Sequence, residues 1–276
     1  MPLDATARAV ACRIDGRTVL STLRSEVPLS LRETTDGLQV LASAFGPLGG
    51  DRTRLELVVE DGAHLEVGTI GSQVAQPGPH DPVSHADVDL RVAAAGWLCW
   101  RPRPLVVTAG AEHRIDLCAR VDRSGTAVLV ETVVLGLPGQ PAGRYRSRWH
   151  VTYDGLPVLV ADLDVGPGAA AGWEGPAVTG GARVLVTALL VGPQPPAGCQ
   201  VQGAQVLELA GPGILLSWLG SDTVEAARVV QAFLAGVARS GADATRDRSE
   251  GPRPVGEPPS RPDGAHVRDL ALGLSP

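Results

Sequence analysis

Lysine does not occur anywhere in this 276-residue chain; apart from histidine, every basic side chain is arginine. That removes Schiff-base chemistry and the phosphate-gripping lysine of a Walker-type nucleotide switch. Aromatic residues are scarce, at 3%. A core must therefore be built from Val, Leu and Ala, a composition that suits packed strands. The four cysteines, Cys12, Cys99, Cys118 and Cys199, show no Cys-x-x-Cys spacing and read as reduced, buried small hydrophobes. The longest apolar stretches, such as Val184–Val191, fall far short of the ~20 residues of a membrane span. The N-terminal MPLDATARAVACRIDGRTVL holds no signal-peptide run. A cytoplasmic location is expected.

Other absences narrow the function. There is no GxSxG elbow, no HExxH helix and no local Cys–His motif, so an enzyme is not expected. A hydrolase with paired carboxylates has no nameable pair. Net charge is −6 and the pI about 5.5. No basic cluster is interleaved with aromatics, so nucleic acid is not an expected partner. Arg101-Pro102-Arg103 is too short to count and reads as a solvated turn.

What the chain has in quantity is turn residues. It contains 34 Gly and 23 Pro, about a fifth of the total, which favours many short elements. Four segments share a rhythm: Arg54–Val67, Val88–Trp100, Ile115–Val130 and Trp149–Val165. Each is an alternating run, a Gly-containing turn and a second alternating run. Period-two alternation marks one buried face. The copies recur at roughly 30 residues, which points to hairpins stacked in a solenoid-like or sandwich arrangement. Pattern alone leaves those two open. Further strands are expected at Ala182–Val191, Gln200–Leu209 and Gly213–Leu219. The fold class is all-β with a C-terminal helix.

That helix is expected over Ser221–Arg239, where Asp222 and Glu225 fit a capping box. Val224, Ala227, Val230, Phe233, Leu234 and Val237 form one apolar stripe. The stripe either packs on the sheet or, in part, docks a partner; Val224, Val230, Phe233 and Leu234 are the partner-binding candidates. Residues 1–240 then form one domain. Residues 241–276, rich in Pro, Gly, Arg and Asp, read as a disordered tail.

Three places invite chemistry. Asp51 follows Gly46-Pro47-Leu48-Gly49-Gly50, where glycines allow a tight bend and a close approach to another surface. It reads either as a turn cap or as an acid presented to that surface. Glu131 interrupts the apolar run Ala127–Leu135. A carboxylate there is costly to bury, so it sits either outward or in an internal passage. His80 and His85, with Asp81 and Asp87, are the nearest approach to metal-ligand spacing, a weak surface alternative.

The order of several short motifs resembles one family, the urease accessory protein UreD (also called UreH), in a diverged actinobacterial-type form. Gly49-Gly50-Asp51 is similar to its Gly-Gly-Asp turn, and Gly62-Ala63 to the next. Thr69 to Gly78 resembles its threonine segment, and Trp100-Arg101-Pro102-Arg103-Pro104 its Trp-x-Pro-x-Pro element. Glu131–Gly136 and Asp154-Gly155-Leu156-Pro157 resemble its later strand and turn. The resemblance covers roughly Leu23 to Arg239 and implies a non-enzymatic all-β scaffold. Its implied partners are a helical UreF-like protein, a UreG-like GTPase and apo-urease. It implies no tightly bound cofactor but nickel in transit, with Asp51, Thr69 and Glu131 lining a passage. Weak oxygen ligands suit an ion that must leave again. The alternative is a β-sandwich module binding carbohydrate on Trp97, Trp100, Trp149 or Trp173.

Overall fold

The computed structural model describes residues 2–193, 195 and 198–249. Seventeen strands and one helix make up the described structure. The N-terminal strands are β1 (Asp4–Ile14), β2 (Arg17–Arg24), β3 (Leu29–Thr34) and β4 (Gly37–Ala42). Next come β5 (Arg52–Val59), β6 (His64–Thr69), β7 (Gln73–Ala75), β8 (Val83–Val92), β9 (Trp97–Arg101) and β10 (Leu105–Val107). β11 (Glu112–Val121), β12 (Thr126–Leu135), β13 (Arg144–Tyr153) and β14 (Leu156–Val165) follow. The chain then forms β15 (Val184–Val191), β16 (Gln205–Glu208), β17 (Gly213–Gly220) and α1 (Thr223–Ser249). One compact unit spans Met1–Ser240. Of the expected tail, α1 takes up residues 241–249, and residues 250–276 lie outside the described set. No described helix is long and apolar enough to cross a membrane.

Two sheets face each other. One has seven strands in the order β14-β13-β11-β8-β5-β1-β2; the other has ten and runs β16-β17-β15-β12-β9-β6-β4-β3, with β7 and β10 off that path. The all-β, solenoid-like expectation is borne out. The pairing within each repeat differs from a hairpin. β5, β8, β11 and β13 lie parallel in the seven-stranded sheet, while β6, β9 and β12 lie parallel in the other. The two runs of the first three repeats therefore sit in opposite sheets, joined by an arch.

The arches share one turn geometry. Residues 60–63, 93–96 and 122–125 each close with a bond from the fourth N–H to the first carbonyl, at 3.0, 3.0 and 2.9 Å. Only the third residue has positive φ in each: Gly62 (65°), Ala95 (53°) and Ser124 (67°). This is the type II pattern, whose twist does not match an antiparallel ribbon. The arches also stack: the Gly62 N–H donates to the Ala94 carbonyl, and the Ala95 N–H to Ser124 Oγ. The reason lies in the alternation. Leu55, Leu57 and Val59 on β5 face Leu65 and Val67 on β6 across the core, so each apolar face covers the other. Only the fourth repeat, β13–β14, is a true hairpin, and there Asp154 and Gly155 both have positive φ.

A second core lies on the far side of the ten-stranded sheet. Val128, Val130, Ala188, Ile214, Leu216 and Trp218 pack against Ala226, Val229, Val230 and Phe233 of α1. The outer face of the seven-stranded sheet is instead a ladder of arginine–carboxylate pairs, such as Arg144–Asp164 and Arg8–Glu56.

Candidate functional site

Asp51 is 4% exposed, held by the turn the sequence singles out. Its Oδ1 accepts the Leu3 N–H and its Oδ2 accepts the Leu48 N–H, both at 2.9 Å. The cap thus ties the N-terminal strand to the glycine turn. The glycines are needed for backbone proximity: a Cβ on Gly49 would run into the Asp81 carbonyl, and one on Gly78 into the Gly49 carbonyl. Asp51 also lines a small cavity with Thr53, Gln73 and His113.

Glu131 lies on the inner face of β12, between Leu129 and Val133. Its Oε2 accepts from Ser147 Oγ at 3.0 Å and from Trp149 Nε1 at 3.1 Å, across the sandwich on β13. Tyr145 supplies a third hydrogen bond. Protein surrounds the side chain, and the residue as a whole is half-buried. Burial raises its pKa above the ordinary glutamate range, and the three donors pull the other way. This carboxylate is the inward, polar alternative of the two the sequence left open.

The sheet beside Glu131 is interrupted. β12 pairs with β9 over Thr126–Leu129 and with β10 over Val133–Leu135. Between them, Pro102-Arg103-Pro104 leaves the ladder, because proline lacks the N–H a central strand must donate. The break faces a cleft of about 560 Å³ under α1, lined by Thr69, Arg101, Arg103, Val130, Thr132 and Gln231 among others. Thr69 borders this cleft at the end of β6, as does Val67, whose inward alternation parity it shares. Its Oγ1 accepts the Arg103 N–H at 2.8 Å and donates to the Gly71 carbonyl.

Asp51 and Glu131 are linked through residues that the sequence reading left without a role. His113 on β11 and Tyr145 on β13 are in register with Ser84 on β8, and all three are buried. His113 stacks on Tyr145 with ring centroids 6.3 Å apart, and Tyr145 reaches Glu131. A polar seam thus runs from the Asp51 cavity to Glu131. His113 shares the alternation parity of Ile115 and Leu117, the signal that marks it as inward.

The other candidates separate. Val230 is 7% exposed and Phe233 0%, so both belong to the core beneath α1. Leu234 is half-buried, and Val224, at the first turn, is exposed. His80 is exposed in its loop, whereas His85 stands on β8 with Arg52 and Arg114 as cross-strand neighbours. Desolvation and those two guanidinium groups lower the His85 pKa, surroundings that disfavour a cation. No cluster of three or more metal-ligating side chains occurs among the described residues. The carbohydrate alternative loses its platforms. Trp100 and Trp149 are core residues, Trp173 is partly buried, and Trp97 is stacked under His64 at 4.0 Å.

Fold and site together define a solenoid-like β body, arched rather than hairpin-built, with a polar seam crossing its interior. Comparison with known proteins places it further. A model of the UreD urease accessory protein family matches residues 4–250. Urease accessory protein UreD 3 of Streptomyces griseus is 37% identical over 238 residues, covering 80% of this chain and 92% of that protein. UreD of Streptomyces avermitilis is 36% identical, covering 83% and 96%. UreD 2 of Saccharopolyspora erythraea is 36% identical, covering 79% and 82%. The chain belongs to the UreD urease accessory protein family. These relatives are named as accessory proteins rather than enzymes.

Proposed function

We propose that this chain is a cytoplasmic scaffold of urease maturation that passes nickel toward apo-urease through its interior. Family membership supports the accessory role. The observation that carries the passage is Glu131: an inward-facing carboxylate inside the sandwich, beside a break in its own sheet, with buried Tyr145, His113 and Ser84 in neighbouring register toward the Asp51 cavity. Oxygen donors spaced along a seam suit an ion that binds weakly and moves on. In this reading Asp51 and Glu131 lie within the route, and Thr69 borders the cleft beside the sheet break.

The partners would be a UreF-like helical protein, a UreG-like GTPase recruited by it and apo-urease, with nickel as cargo and no resident cofactor. Val224 and Leu234 are the α1 positions left for partner contact. The test is co-production with UreF-like and urease proteins, comparing wild type with Asp51→Ala and Glu131→Ala. Co-purification retained with urease activation lost supports a transport role. Activation at wild-type level in both variants refutes it.

A further inference from the structure

Phe45 breaks the pattern that buries the other aromatic residues. It is 90% exposed, and the other eight Phe, Trp and Tyr residues are all buried or half-buried. It lies in the loop between β4 and β5, on the rim of an open groove of about 530 Å³. Val40, Ala42, Ala44, Ile70 and Val74 line that groove, and no charged side chain among the described residues does. Ile70 is exposed as well. So are Val27 and Leu48, which adjoin Pro28 and Pro47, two residues that share a smaller cavity with Phe45. These four side chains leave roughly 400 Å² of apolar surface in water, a patch size that on a monomer is often functional.

Charge narrows what covers this face. The chain carries a net charge of −6, so two copies repel unless they meet where charge is absent. The groove is such a place. A lipid surface would call for basic residues around the apolar groups, and none of the described ones lines the groove. The face also carries both halves of a joint: a ring stands out into water beside a groove that it does not fill. A two-fold axis between ring and groove seats each ring in the other copy's groove, the self-matching arrangement of a closed dimer. Counting both copies and the groove walls, that joint covers roughly 1,000 Å², the lower limit of a specific interface. We propose that the Phe45 face is a self-association surface, on which a second copy of this chain seats its Phe45 ring in the groove between β4 and residues 69–74 and receives this chain's ring in return. The proposal goes beyond the scaffold reading and stands whether or not an ion crosses the interior. At this area the dimer is weak and depends on protein concentration.

The test is sedimentation velocity of the full chain from about 1 to 100 µM. The mass should rise from 28.5 kDa toward twice that value. Phe45→Ser removes the ring, and Ser72→Arg puts a charge into the groove. Both positions are exposed, so thermal melting of the variants should match wild type. Each variant alone should dimerise about tenfold or more weakly, as loss of a central aromatic anchor does. Mixed together they should recover part of the affinity, because one intact ring and one intact groove remain to meet. Val160→Ser, at an exposed position on β14, should dimerise like wild type. A wild type that stays monomeric throughout overturns the proposal and leaves the face to a different molecule. Full dimerisation of Phe45→Ser overturns it too, as does a mixture that associates no more tightly than its separate variants.

Discussion

Replacing Glu131 by glutamine and by leucine separates two opposing energies at one position. Ionised Glu131 is raised in pKa because its charge is desolvated. Folding therefore favours its protonated form, and the penalty is complete once pH exceeds the folded-state value. It vanishes as pH falls to the ordinary glutamate range. Glutamine keeps the carbonyl acceptor without the charge. Glu131→Gln should thus be more stable than wild type at pH 8, with the gap closing as pH falls. Each unit of pKa elevation corresponds to about 1.4 kcal/mol, so the gap at pH 8 reads out the elevation. His113 acts in the opposite sense, since a buried neutral imidazole must charge at low pH. It does so in both proteins and cancels in the difference. Leucine is close in size to glutamine but accepts nothing. Ser147 and Tyr145 hydroxyls can turn to one another, whereas Trp149 Nε1–H has one direction only. Glu131→Leu should therefore fall below Glu131→Gln by about 1–3 kcal/mol, the cost of one stranded buried donor. Urea unfolding followed by tryptophan fluorescence at pH 5, 6, 7 and 8 measures all three. Wild type and Glu131→Gln tracking each other at every pH would refute the enclosed-carboxylate argument.

Asp51→Ala strands the Leu3 and Leu48 N–H groups, each worth about 1–3 kcal/mol when buried; amide exchange should accelerate at both residues, and unchanged protection would contradict the cap. Phe233→Ala should cost about 3–5 kcal/mol, as for other fully buried phenylalanines. Val224→Ala should leave the melting midpoint unchanged and weaken only partner binding, measured by co-purification. The Cys99 thiol is pushed up to about 12, by burial first and the nearby Glu66 charge second. It should resist alkylation at pH 8 in the folded protein, and mass-mapped labelling of Cys99 before unfolding would be the contrary result.

Strand positions were legible because alternation depends only on which side of the chain is apolar. Pairing was not. Asp61-Gly62 and Asp154-Gly155 are the same dipeptide, yet the first closes an arch and the second a hairpin. The difference is the partner: β5 bonds to β1 and β8, not to β6. Such choices depend on strands some 30 residues distant, beyond any local pattern. Glu131 stood out as an acid in an apolar run, but its partners Ser147 and Trp149 come from the opposite sheet. The helix stripe was legible too, while its use was not: Val230 and Phe233 cover the outer side of the ten-stranded sheet. Thr69 has the inward parity of Leu65 and Val67, but it ends β6 beside the sheet break and so borders the cleft.

The most direct measurement is the nickel content of urease matured in cells with wild-type chain or Glu131→Gln, at matched yields of the assembled accessory complex. Urease from the variant should contain markedly less nickel per subunit although the complex forms in full. Equal metal loading would mean that the interior carboxylate belongs to the frame alone, and that the ion travels elsewhere.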